Sequence, residues 1–396
     1  LAVYYAAHSS ATAPMRTSLA NHEERLRALT QPHSTMVMEE SDAPRPTHIL
    51  HRGSYMQPGE LVSCNTPAVL PAAAGAPSNR LGLARWAVMP ENPLTARVAV
   101  NRIWRLFFGV GIVATPADFG VTGEYPSHPE LLDWLAVDFR SHDWDVKRLV
   151  RQLVTSSTYR QTARETPELL ERDPANRLLA RGPRFRLQAE LIRDAALKVS
   201  GLLVDWHGGP SVNPYAPGDL WREVSHYGST PATAQTFVQD HGEKLYRRSI
   251  YTYWKRTAPP PNLAAFDAPS RETCVVDRGR TNTPMQALVT LNDVQFVEAS
   301  RAFAQRVLTE PGSDKDRLRR AVTECLSREP SDAELRVLTH ALERERTRYV
   351  ADLQAAESLL RVGEAPRNTD LAAPEHAAWT QIASLLLNLS ETVTRN

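Results

Sequence analysis

Asp118, Glu124 and His128 fall on one glycine-punctuated stretch, Val110 to Pro126 and the residues just after it. Two carboxylates and an imidazole so placed have the chemistry of a general acid, a general base and a proton carrier. Upstream, Arg97, Asn101 and Arg105 recur at four-residue intervals, so a helix would present all three along one side. Facing the loop, they would make a polar pocket able to clamp an anion. The competing reading is structural: Asp118 and Glu124 pair with these arginines and fasten a long loop. Spacing alone favours the structural reading and spells out no reaction.

Two further groups have chemical content. Arg181, Arg184, Arg186 and Arg193 cluster beside Glu190 and Asp194. Bidentate guanidinium donors suit a phosphate or sulfate, although solvated ion pairs use the same residues. Trp206, Tyr215 and Trp221 punctuate an irregular stretch over 204–245 and could be stacking platforms or a packed cover. No metal site is expected: His48 and His51 lack a third ligand, and Cys64, Cys274 and Cys325 are widely spaced without CxxC or CxxCH. Spacing leaves open whether any two of these cysteines pair. A GxSxG elbow, a P-loop, a dinucleotide fingerprint and HExxH are all missing.

The elements that must position these groups are mainly α-helical. Asn92 as cap, with Pro93 in the first turn, predicts a helix burying Ala96, Val100, Ile103, Trp104 and Phe107 and stopping at Gly109. Ser127 and Glu130 form a capping-box pattern ahead of Leu131, Leu132, Trp134, Leu135 and Phe139. Asp145 opens a third helix, and Asp173–Pro174 a short one ending near Arg181. A further helix runs through Leu187 and Val199 to Gly201. Thr283–Pro284 begins another, re-capped at Asn292–Asp293. A second capping box at Ser331 and Glu334 precedes a long helix, and a final helix is expected from about Pro374 to Leu389. Minor strands are expected near residues 35–51, including Thr35 to Met38, and near 247–276, where Arg247 to Arg256 alternates. The expected organisation is a lead-in over 1–45, a turn-rich connector over 46–90, a main helical domain over 91–310 and a C-terminal helical segment over 311–396.

Composition bounds the partners. Forty-six basic and 45 acidic residues leave a formal charge of +1, which gives no footprint for nucleic acid. Only five of the basic residues are lysine. No apolar run is long enough to span a membrane. The chain opens on Leu1 with no signal-like segment, as the interior of a longer protein would.

NPLTARVAVNRIWRLFFGVGIVATPADFG, HPELLDWLAVDF and TNTPMQALVTLND closely resemble a domain of unknown function from the C-terminal part of planctomycete proteins that carry cytochrome-c-type modules. PRPTHILHRGSYMQPGE resembles that family's lead-in and LLLNLSETVTRN its C-terminal end, so the likeness covers about residues 35–396. The resemblance marks Asn101, Arg102, Trp104, Asp118, Phe119, His128, Pro129, Asp133, Trp134, Asp267, Pro284, Gln286, Asn292 and Asp293 as places to look, none with a known role. It implies a periplasmic or otherwise exported protein with a haem module upstream. Without CxxCH, no cofactor is expected within these residues, and haem c would lie before Leu1. Two function classes follow. One is an accessory or interaction module working with the cytochrome-c-type module. The other is a hydrolytic or redox enzyme acting on complex polysaccharide, sulfated or not, with Asp118 or Glu124 as acid or base.

Overall fold

A computed structural model describes residues 2–31, 35–39, 45–72, 75–222 and 236–395. The chain divides into two compact units, Leu1–Leu83 and Ala84–Asn396. In the first, α1 (Ala2–His8) and α2 (Ala13–Thr30) precede a small antiparallel hairpin of β1 (Thr47–Leu50) and β2 (Pro58–Val62). No described residue of α2 is buried, in keeping with its weakly patterned sequence. The strand expected over Thr35–Met38 does not form: these residues are irregular and exposed, and no strand among the described residues pairs with them.

The second unit is helical. After α3 (Arg80–Val88), which begins just before it, come α4 (Thr95–Phe108), α5 (Pro129–Ser141), α6 (Val146–Thr155), α7 (Pro167–Arg172) and α8 (Ala189–Ser200). The chain continues through α9 (Pro261–Ala264), α10 (Pro284–Asn292), α11 (Val294–Thr309) and α12 (Asp314–Leu326) to α13 (Asp332–Ala351), α14 (Leu353–Leu360) and α15 (Ala373–Leu387). Two residues at Phe185–Arg186 (β3) pair antiparallel with Thr394–Arg395 (β4), drawing the C-terminal end beside the arginine-rich stretch. The protein is therefore mainly α with minor strands. The expected strand over Arg247–Arg256 is a correction: a 3₁₀ turn occupies Ser249–Tyr251, with isolated bridges at Arg247, Thr252 and Lys255. Alternating residues here meet separate partners, so no continuous ladder is built.

Helix α4 is organised by its buried face, with Ala96, Val100, Trp104 and Phe108 inward, and Gly109 at φ +83° ends it by donating to Arg105 O. Pro93 stays outside the helix. Asn92 nevertheless caps its entry, its Oδ1 accepting from Leu94 N (3.0 Å) and Thr95 N (3.2 Å). The Ser127–Glu130 box is not made, because the Ser127 hydroxyl donates to Ile112 O at 3.3 Å and His128 takes the cap position. The helix expected after Asp173 is also absent. Asp173 closes α7 instead, and its carboxylate accepts from Arg177 N (2.8 Å) and Leu178 N (2.7 Å) in a run of turns. The boxes at Thr283–Gln286 and Ser331–Glu334 form, and Asp293 caps α11.

Among the described residues, three large packed clusters result, beside a small one of Leu197, Leu245 and Tyr246. One joins α4, α5 and α6 through Trp104, Phe108, Leu132, Phe139, Leu149 and Leu153. A second joins α8, α9 and α11 through Ile192, Leu263, Phe266 and Phe296. The largest surrounds α15, whose Trp379, Ile382 and Leu386 meet Phe303, Leu318 and Leu342. Helix α15 is buried nearly all round, and Ala377, Ala378 and Ala383 let neighbouring backbones approach closely. The buried helix joins α11 to the C-terminal helices in one core.

A surface staple holds the start of α13. Arg328 reaches Glu334 (2.7 Å) and Glu391 (2.6 Å), and the Glu334 carboxylate also accepts from Ser331 N. Arg328 and these Ser331 bonds lower the Glu334 pKa to about 2. A depressed carboxylate pKa contributes stability above the unfolded value near 4.5, lost as pH falls through about 2. Because the pair is solvent-screened, Glu334→Gln is expected to cost about 1 kcal/mol or less at pH 7. The difference from wild type should vanish by about pH 2, which urea unfolding across that range would check.

Candidate functional site

The three polar residues of α4 diverge instead of converging. Arg97 pairs with Asp133 of α5 at 2.7 Å. Arg105 pairs with Asp277 and donates to Val276 O at 3.2 Å. Only Asn101 touches the loop that follows the helix. It is wholly buried, donates from Nδ2 to Val113 O (3.0 Å) and accepts at Oδ1 from Val113 N (2.9 Å). Gly111 lies against this amide, and a Cβ there would sit 2.7 Å from Asn101 Nδ2. Arg102 is exposed, and Trp104 is buried in a stack on Phe108 at 3.9 Å.

The loop carboxylates pair with none of these arginines. Asp118 folds onto its own turn, accepting from the Thr122 hydroxyl and from Gly120 N at 2.7 Å. Those two bonds hold its carboxyl below the usual range, which favours an ionised turn-holder over a proton donor. Glu124 is exposed, with its backbone N–H donating to Thr115 Oγ1 at 3.0 Å. His128 Nδ1 meets Ser127 Oγ at 3.0 Å. No hydrogen bond or ion pair joins Asp118, Glu124 and His128 to one another. The Gly-rich turns are built locally, from Thr115, Asp118 and Thr122.

The arginine group is likewise dispersed. Arg181 is buried and donates to Asp173 O (2.9 Å) and Pro174 O (2.7 Å). Arg193 is buried beneath the 245–249 segment, donating to Leu245 O, Arg247 O, Ser249 Oγ and Gln295 Oε1. Burial pulls its pKa down to about 10. Glu190 pairs with Arg278 at 2.9 Å, and Asp194 accepts from Ser249. The aromatic residues of the irregular stretch each have partners within the chain. Trp221 is only 7 % exposed, edge-on to Phe237 and beneath Lys255 Nζ, while Tyr215 Oη accepts from Glu364 N at 2.9 Å. Trp206 is half-exposed, but Arg247 lies over its ring at 4.6 Å. Residues 223–235 of the stretch read over 204–245 lie outside the described residues.

Arg184 and Arg186 do meet at a cleft of about 570 Å³. Arg184 and the two residues of β3, Phe185 and Arg186, form one wall. The segment from Arg280 to Gln286 supplies another, and Asn388 to Thr394 a third. Arg186 donates to Asp267 and to Phe266 O (3.3 Å). Asp267, at φ +60°, also accepts from Thr281 N at 2.8 Å and so ties the two walls together. Gln286 is buried and donates to Thr281 O at 3.2 Å. Asn292 and Asp293 lie apart, at a helix junction: Asn292 donates to Leu288 O, and Asp293 accepts from Gln295 N with its pKa raised by burial. Sequence reasoning missed Arg280, which reaches this cleft from an irregular segment without periodic signal. The resemblance had marked Asp267 and Gln286 nearby.

Among the described residues no group of three or more His, Cys, Asp or Glu is placed to hold a metal. No described helix is long and apolar enough to cross a membrane. Cys64 and Cys274 are exposed thiols, and burial pushes the Cys325 thiol up to about 12.

The model of a protein family of unknown function, PSD1 (DUF1553), matches residues 79–342, about two thirds of the chain. Neither the curated proteins nor the solved structures contain a match. The chain belongs to this family of unknown function.

Proposed function

We propose, on the sequence resemblance, that the chain is an exported accessory or interaction domain that works with a cytochrome-c-type module and binds without transforming. The observation that carries this reading is the engagement of the central polar groups. Asn101 holds Val113, Asp133 holds Arg97, and Asp118 holds its own turn. An acid–base pair needs free groups aimed at one reacting atom, whereas Asp118 is committed to Gly120 and Thr122 of its own turn. The sequence resemblance adds the haem module and the exported setting. Substitutions from Asn101 to His128 are then expected to change stability and no rate. The test mixes the purified domain with a c-type cytochrome module from a protein of this family and follows association by calorimetry. Saturable binding without turnover supports the reading. Absence of association, or release of reducing ends from a polysaccharide by the domain alone, overturns it.

A second reading, an enzyme acting on complex polysaccharide, sulfated or not, draws on one observation: the polar, arginine-lined cleft. Among the described residues Glu165 is the one carboxylate lining it, and Asp267 behind the wall is held by Arg186 and Thr281. Glycoside hydrolysis generally uses two carboxyl groups flanking the bond. The cleft therefore favours binding over cleavage.

A further inference from the structure

Charge around the 570 Å³ cleft does not balance. Three guanidinium groups line it, from Arg184, Arg186 and Arg280. Glu165 lies 3.7 Å from Arg184 in a loose, exposed pair, and Asp267 is engaged by Arg186. Arg280 has no carboxylate within ion-pair distance among the described residues. It is half-buried, donates to Gly109 O at 3.0 Å and lies over the Phe185 ring at 4.5 Å. Burial, and the nearby positive charges of Arg105 and Arg186, lower its pKa.

Arg186 adds a second observation. Its side chain is 10 % exposed, and its Nε and Nη1 are buried without a partner. A buried charge ordinarily has a counter-charge and filled hydrogen-bond positions, because desolvation of an unpaired ion costs several kcal/mol. Here one cation sits in the wall with donors unfilled, and another faces the cleft with no anion. Around them stand neutral hydrogen-bonding groups, including Thr281, Asn282, Asn388 and Ser390. A cleft of this volume is the size of ordinary small-ligand sites.

We propose that this cleft is an oxyanion-binding site, in which Arg280 and Arg184 hold a carboxylate or sulfate group. Arg186 strengthens the positive field from within the wall, and the amides and hydroxyls receive a hydroxyl-rich body attached to the anion. An acidic sugar has that chemistry, and a free inorganic oxyanion has its charged part. The site stands whether or not the domain associates with a haem module, since its ligand is held by this chain alone.

The test is calorimetric titration of the full chain with sodium sulfate, glucuronate and glucose at fixed ionic strength. Sulfate or glucuronate is expected to bind saturably and glucose not. Arg280→Gln is expected to weaken anion binding about 10-fold or more, the loss of one charge-assisted contact. Because Arg280 also supports Gly109 and Phe185, a second variant guards against a folding defect. Asn282 is exposed and lines the cleft, so Asn282→Asp places a carboxylate beside the arginines and is expected to abolish anion binding in a folded protein. Glucuronate binding well above sulfate identifies an acidic sugar, and equal binding identifies a free oxyanion. Either upholds the site. No saturable anion binding by wild type, glucose binding as tight as glucuronate, or unchanged affinity in Asn282→Asp overturns it.

Discussion

Asn101→Ala is expected to destabilise the protein by about 3 kcal/mol, because it orphans two buried backbone groups at once. The Asn101 amide has no solvent exposure and bonds both the carbonyl and the N–H of Val113. Each buried group left without a partner costs about 1–3 kcal/mol, and a methyl cannot stand in for either bond. Water cannot replace the amide without opening the packed layer of Val100, Ile112 and Val113, all nearly inaccessible. Asn101→Asp is an informative companion. It can still accept from Val113 N, but it turns an oxygen toward the Val113 carbonyl, so it should also be strongly destabilising. Urea unfolding with an unchanged slope and a lowered midpoint would locate the loss in the native state. A cost under about 1 kcal/mol would show that the loop is held by something other than this amide.

Glu298→Ala carries the largest expected effect, about 3–5 kcal/mol, the range for breaking a buried charged network by removing one partner. Glu298 is 1 % exposed on α11, and its Oε1 accepts from Tyr246 Oη (2.9 Å) and from Ala365 N (2.6 Å). Arg301, also buried, lies 3.7 Å away and donates to Ala365 O at 2.6 Å. Burial, followed by the Glu298 charge, raises the Tyr246 phenol well above its ordinary value, so it serves as a donor at any physiological pH. Removing the carboxylate strands the tyrosine hydroxyl, the Ala365 amide and the Arg301 charge together. Glu298→Gln keeps an oxygen for the first two and loses only the counter-charge, so it should cost less than alanine. Gly363 probes the same contact from the other side. Its φ is +84°, and a Cβ would overlap the Glu298 side chain, so Gly363→Ala meets both a backbone and a steric penalty. Thermal unfolding of the three variants would rank them, and equal stability of Glu298→Ala and wild type would remove the network from the account of this core.

Both residues were differently legible beforehand. Asn101 stood out by type and spacing, but its role did not, because four-residue periodicity says which side chains share a helix side and nothing about what lies opposite. Arg97, Asn101 and Arg105 do share that side, yet α5, the loop and the 276–277 segment each take one of them. Glu298 had no motif at all. It lies among the apolar positions of a buried helix, and only the return of the 363–365 segment explains a carboxylate there.

Helix identities were written locally. Cap residues at Thr283, Asp293, Ser313 and Ser331, the stop glycines 109 and 201, and the apolar periods of α4, α6 and α8 act within a few residues, so the sequence alone determined a mainly helical protein. The misread starts at Ser127 and Asp173 share one cause: a tertiary or turn partner outcompeted the helix cap for the same side chain. The cleft was beyond local reading altogether. Its walls come from residues near 185, 281 and 390, joined by the pairing of β3 with β4 and by Asp267 bridging Arg186 to Thr281. Which guanidinium keeps a counter-charge and which does not depends on those distant approaches, and so only the tertiary structure decided it.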